Sequence, residues 1–227
     1  MSQNFKRAVH VAAMAIALCG AGVAQAATIP LVNGSFEQGT TGPAGGYQNG
    51  LTFGQLMTTG PGVNIYSGLQ GWTTTSGNRI EVRSDLSTQI DAQDGNYYIS
   101  LDGSRNSSIQ QAVTLGIGSY YLSFWYSPEN GNATTNMVNY SLGTLVSGVA
   151  NKGTNGAAVG GWTEIKTLFH VKTAGSYLLG FAAAGSANRI GGFLDNIQIA
   201  EAPVPAAGFG LVGALLALGG VRRRRKA

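Results

Sequence analysis

Between Ala27 and Ala200, apolar side chains recur at every second position, in short runs broken by Gly, Asn and Ser. Period two sends successive side chains to opposite faces of a strand, so each run predicts a strand with one buried face. In Asn96–Asp102 the residues Tyr97, Ile99 and Leu101 alternate with Tyr98, Ser100 and Asp102. In Ser119–Ser127 the residues Tyr120, Leu122, Phe124 and Tyr126 alternate with Tyr121, Ser123 and Trp125. Val138–Leu142, Thr163–Val171, Ser176–Ala182 and Phe193–Ile199 repeat the pattern, and Pro30–Val32, Asn64–Tyr66, Arg79–Arg83 and Ile109–Leu115 are shorter candidates. The Gly-rich stretch Gln38–Gly62, with Pro43 and Pro61, reads as a long loop, and Asn130–Thr135 and Gly148–Gly161 read as further loops. No stretch of this region keeps a helical period. About ten such strands in one domain predict an all-β fold, a two-sheet antiparallel β-sandwich of the jelly-roll type.

Charge then separates this body from its flanks. The formal net charge of the 227-residue chain is +4, with 14 Lys and Arg against 10 Asp and Glu. All ten acids lie in residues 27–202, which hold seven basic residues and are therefore net negative. The excess positive charge sits at the ends, in Lys6 and Arg7 and in Arg222–Lys226. A nucleic-acid binder needs a basic patch on its folded surface, so that class is excluded. Charged residues are 11% of the chain, which suits an extracellular Gly/Ser/Thr/Asn-rich β protein. The single cysteine, Cys19, lies in the leader, so the body must hold together by packing without disulfides.

The two ends read as addresses. Lys6 and Arg7, the apolar stretch Ala8–Leu18 and the small residues Ala24 and Ala26 make a secretory signal peptide, cleaved after Ala26. At the other end Pro203, Val204 and Pro205 precede an apolar run from Gly208 to Val221 and then Arg222, Arg223, Arg224 and Arg225. As a short hydrophobic helix that run is marginal for a membrane span, and the basic cluster would stay cytoplasmic. A plain anchor is one reading. The order of Pro motif, apolar stretch and Arg cluster also resembles the PEP-CTERM sorting signals of Gram-negative bacteria, nearest the Val-Pro-Leu-Pro-Ala variant, although the Pro-Glu-Pro core is missing. That resemblance implies export, transient inner-membrane anchoring, removal of the tail by an exosortase-type enzyme and delivery to the surface or extracellular matrix. The expected domains are therefore 1–26, 27–202 and 203–227.

Short motifs along the body carry a second resemblance. Asn33-Gly34-Ser35-Phe36-Glu37, Gly71-Trp72, Asp94-Gly95, Ile109-Gln110-Gln111, Gly118-Ser119-Tyr120, Gly161-Trp162-Thr163 and Leu194-Asp195-Asn196-Ile197 follow in that order. The series is similar to galactose-binding-domain-like jelly rolls, and most to the bacterial surface domains called choice-of-anchor C. In such sandwiches a structural calcium often ties the first strand to the last, and the matching positions here are Glu37 and Asp195. Asp195 falls in phase with Ile197 and Ile199, so it is expected to point inward. A buried carboxylate needs either a cation or several N–H donors, here expected from the Asn33–Phe36 backbone.

A catalytic reading finds little support. A glycosidase needs two carboxylates flanking the scissile bond, and the acids here are scattered. A Ser-His-Asp triad would have to use His170, which alternates with Glu164 and Lys166 on a polar strand face. Zinc is ill served by one histidine and no cysteine. Sugar binding fits better, because aromatic faces pack on pyranose rings while planar donors bond hydroxyls. Trp125 and Tyr121 share the outward phase of one strand and Tyr98 has that of another, with Arg79 and Arg83 as donors. Tyr47, Phe53 and Tyr66 are candidates for a rim, whereas Trp72 and Trp162 read as packing residues. The expected function is an exported surface or matrix protein with a non-catalytic carbohydrate-binding domain and a polysaccharide or matrix partner. A structural or adhesive protein without a sugar site is the alternative, and a cryptic hydrolase is the third.

Overall fold

A computed structural model describes residues 27–41, 51–60, 62–87 and 89–203. The leader with Ala24 and Ala26, the tail from Val204 and Pro205 through Arg222, Arg223, Arg224 and Arg225, and Tyr47 lie outside the described residues. In chain order the strands are β1 (Thr28–Ile29), β2 (Thr40–Thr41), β3 (Val63–Tyr66), β4 (Gly68–Leu69), β5 (Thr73–Ser76), β6 (Ile80–Ser84) and β7 (Tyr97–Ser100). There follow β8 (Ser108–Leu115), β9 (Gly118–Pro128), β10 (Val138–Leu142), β11 (Val146–Ala150), β12 (Thr163–Val171), β13 (Gly175–Ala183) and β14 (Gly192–Glu201). A 3-10 turn, Phe53–Met57, and one helical turn, Lys152–Asn155, are the helical pieces among the described residues.

All pairings are antiparallel and build the expected sandwich. One sheet runs β12-β9-β14-β7-β6-β3, with β1 also paired to β14, and the other runs β11-β10-β13-β8-β5. The first and last strands therefore meet, and the Glu201 amide donates to the Ala27 carbonyl at 2.8 Å.

The alternation seen in the sequence sorts the faces. Tyr120, Leu122, Phe124 and Tyr126 of β9 are buried, as are Ile109, Val113 and Leu115 of β8 and Leu179 and Phe181 of β13. Phe124 fastens the two sheets, with its ring edge-on to Phe181 at 5.1 Å and to Tyr140 at 5.0 Å. Trp72 packs against Phe36 and Phe181 and donates its indole N–H to the Asn33 carbonyl at 3.0 Å, a packing role as its motif implied.

Several expectations are corrected. Pro30–Val32 is not a strand; pairing to β14 stops at Ile29, just before a proline that has no N–H to give a ladder. Val146–Ala150 forms β11, although Gly148 onward read as loop. Gly148 is needed there, since a Cβ would run into the Tyr140 hydroxyl beneath it. Thr73–Ser76 is a strand without an apolar residue, so periodicity had nothing to register. Within Gln38–Gly62, β2 pairs with β4 and the 3-10 turn buries Leu56. Among the described residues no helix is long and apolar enough to cross a membrane.

Candidate ligand-binding faces

Register stacks the outward side chains of the seven-stranded sheet into rows. Arg83 lies opposite Tyr98, and Asp195 opposite Trp125, which faces Glu164 in turn. Glu81, Ser100, Phe193 and Ser127 form the neighbouring row. Arg79 shares the parity of Glu81 and Arg83, and Tyr121 that of Trp125. Four of the five residues expected to bind sugar, Tyr98, Arg83, Trp125 and Tyr121, thus share one face of one sheet, while Arg79 lies just before β6.

Burial divides them. Tyr98 has no exposed surface: it is edge-on to Phe193 at 5.0 Å and to Trp162 at 5.6 Å, and its hydroxyl bonds Ser87 Oγ at 3.3 Å. Burial pushes its phenol up to about 12. Arg83 is also buried and is committed to protein partners. Neither offers a surface to a ligand, because the connection between β6 and β7 folds back over this face. Trp162 pins that connection by donating Nε1–H to the Asp91 carbonyl at 2.8 Å. Tyr121 and Trp125 remain half-buried, and Lys166 Nζ stands 4.8 Å over the Tyr121 ring, a cation–π contact. Arg79 is half-buried and is held through its backbone, its amide donating to Ser107 Oγ and its carbonyl accepting from Gly103.

Beneath the covering loop lies a charged cluster that the sequence did not announce. Arg83 Nε donates to Glu81 Oε1 at 2.6 Å and Nη2 to Glu129 Oε1 at 2.7 Å, while the guanidinium sits 5.0 Å over the Phe193 ring. Burial drives the Glu81 carboxyl up to about 7, Arg83 opposing the shift and Glu129 adding to it. Glu129 and Asp102 are also raised, again chiefly by burial. Asp102 Oδ2 accepts the amides of Asn188 and Arg189.

The two carboxylates expected to hold calcium are spent on backbone amides. Asp195 Oδ2 accepts from Gln93 and Asp94 at 2.7 and 3.0 Å, and Oδ1 from Asn196 at 2.7 Å. Glu37 Oε1 accepts from Asn96 and Tyr97 at 2.9 and 2.8 Å. Burial raises both carboxyls, Asp195 to about 7. The donors are thus N–H groups from 93–97 and 196, not from Asn33–Phe36. Among the described residues no three His, Cys, Asp or Glu side chains converge as a metal site. Asp195 Oδ1 and Oδ2 and Glu37 Oε1 are thus engaged by N–H donors. The direction of Asp195 is also corrected. A β-bulge between Asp195 and Gln198, with Asn196 at φ 47°, reverses the phase. Ile197 and Ile199 turn into the core, and Asp195 lies beneath the loop on the opposite face.

A further concavity lies on the other sheet. A groove of about 550 Å³ crosses the outer face of β11, β10, β13, β8 and β5, lined by Thr75, Ser108, Gln110, Asn139, Ser141 and Ser147, with Gly180 and Ala182 in its floor. The side chains of Gln110, Asn139, Ser141 and Ser147 make no hydrogen bond among the described residues. No charged residue and no outward-phase aromatic lines it. Sequence reasoning missed this face because it sought rings and donors with charge. The available signal was negative: β8, β10 and β13 carry no Lys, Arg, Asp or Glu, whereas β12 carries Glu164, Lys166 and His170. His170 is exposed and shares a hydrogen bond with Ser119 Oγ at 2.8 Å, one strand away.

No family model and no curated protein matches the chain. Among solved structures it is similar to the Stig cyclase Fisc from Fischerella sp. TAU, at 16% identity and a TM-score of 0.52, over 80% of this chain and 100% of that one. A further cyclase structure from Fischerella sp. TAU gives 15% identity and a TM-score of 0.50 over the same shares. TmCBM61 in complex with β-1,4-galactotriose gives 18% identity and a TM-score of 0.46, over 59% of this chain and 90% of that one. At such identities the cyclase likeness establishes the fold, a jelly-roll sandwich.

Proposed function

We propose that the sandwich is a non-catalytic carbohydrate-binding domain of an exported surface or matrix protein. The groove on the five-stranded sheet carries this reading. Its volume lies in the range of small-ligand sites, and the amides of Gln110 and Asn139 and the hydroxyls of Ser141 and Ser147 are free to exchange hydrogen bonds with sugar hydroxyls. Its lining holds no carboxylate and no imidazole, which favours binding over hydrolysis. A glycan array probed with the protein should return neutral glycans, with signal lost on Gln110→Ala combined with Asn139→Ala. A broad array without hits sinks the proposal.

Export and processing rest on the two ends of the sequence, read as a signal peptide and a PEP-CTERM-like signal joined to a choice-of-anchor C-like body. Mass analysis of the surface-delivered form should find a start at Ala27 and no Arg222–Arg225. An intact tail in that form would favour the plain anchor.

One observation favours the structural or adhesive alternative: Leu178 and Val149 are 51% and 37% exposed on the sheet that bears the groove. Sedimentation that shows concentration-dependent self-association, abolished by Leu178→Ser, would select it.

A further inference from the structure

Two glycines interrupt strands of the five-stranded sheet, for different reasons. At Gly148 a Cβ would collide with Tyr140, so the fold requires its absence. At Gly180 a Cβ would find the Ile109 carbonyl and Ser141 Oγ at 3.7 Å each, which is ordinary contact. Its φ lies outside the left-handed region, and its register is unbroken, opposite Ser141 on one side and Gln110 on the other. A glycine inside a strand weakens it, and it is usual at a bulge, at a bend or where another molecule approaches closely. Neither a bulge nor a steric demand exists at Gly180. What remains is its location, in the floor of the groove between Gln110 and Ser141.

We propose that Gly180 is a specificity-determining position, left without a side chain so that an uncharged, soluble polysaccharide chain can lie across β13 and bond Gln110, Ser141 and Asn139. This rests on the carbohydrate-binding reading and narrows it. An acidic polymer would meet no cation in the groove to pair its charges. A crystalline polysaccharide surface would meet no flat aromatic platform, because no outward position of β8, β10, β11 or β13 carries a ring. The outward neighbour Ala182 extends the same floor.

The test compares the full chain with its Gly180→Val and Ala182→Leu variants, by retardation in gels containing a soluble neutral glucan, a neutral galactan or alginate. Thermal unfolding is followed in parallel. Wild type should be retarded by a neutral polymer and not by alginate. Each variant should weaken that retardation by at least ~10-fold. The melting temperature of Gly180→Val should hold or rise, since valine suits a strand better than glycine. Variants that bind like wild type would overturn the role of Gly180 and leave the carbohydrate-binding reading standing. So would a Gly180→Val protein that fails to fold, which would make the glycine structural. Retardation by alginate equal to that by the neutral polymers would overturn the ligand class. A wild type retarded by no polymer would remove the carbohydrate-binding reading, and this inference with it.

Discussion

Arg83 of β6 reaches Glu129, just past the end of β9, through a 2.7 Å ion pair that spans two intervening strands. The same guanidinium holds Glu81 of its own strand and rests on Phe193 of β14, so two strands and the residue beyond a third meet at one cation.

Removing that cation strands two buried carboxylates. Arg83→Met should destabilise the domain by about 3–5 kcal/mol, the range for breaking a buried pair from one side. Chemical denaturation reads this directly. An unchanged midpoint would mean that the cluster is solvated.

The buried acids set an unusual pH profile. Folding raises Glu81 and Asp195 from their ordinary carboxylate range to about 7. A folded-state pKa above the unfolded one means that the native state holds more protons in the interval. Stability is then highest below the ordinary carboxylate range and is lost as pH rises from there through about 7. Urea midpoints should be higher at about pH 5 than at about pH 8, and Glu81→Gln should flatten the difference. A midpoint that climbs with pH over that interval contradicts this.

Calcium should be without effect. With Asp195 and Glu37 bonded to amides, adding calcium to chelator-treated protein should leave the melting temperature where it was. A rise that saturates with calcium would require the two carboxylates to rearrange around an ion.

The two outer faces can be told apart by one pair of substitutions. If the groove binds glycan, Trp125→Ala should retain binding while Asn139→Ala weakens it by a few-fold. The reverse result would return the site to the seven-stranded sheet.

Core packing should be least forgiving at Phe124, which touches rings on two strands of the opposite sheet. Phe124→Ala should cost about 3–5 kcal/mol. Conversion to leucine should restore part of that loss.

Strands with strict alternation were legible because period two survives any packing arrangement. Ser119–Ser127 and Thr163–Val171 lie within a residue of β9 and β12. Asp195 was misdirected because a bulge changes phase without changing composition, and Asn196 alone hints at it. Tyr98 has the outward phase read from the sequence, yet its burial and that of Arg83 depend on a connection whose folding back is fixed by amides donating to Asp195 and Glu37. Such long-range backbone contacts leave no periodic trace. The groove was invisible for the opposite reason: Ser, Gly, Ala and Gln on an outward face look like ordinary solvation until the register sets them side by side.

The meeting of Ala27 with Glu201 has a mechanical consequence. A pull between the two ends acts at one corner of the sheet, on the outermost bond of the two-residue β1–β14 ladder. Antiparallel ladders loaded there open one bond at a time, as a zipper does, and resist little. Tension along the chain would therefore peel β1 away first, before the longer β9–β14 and β8–β13 pairings opened.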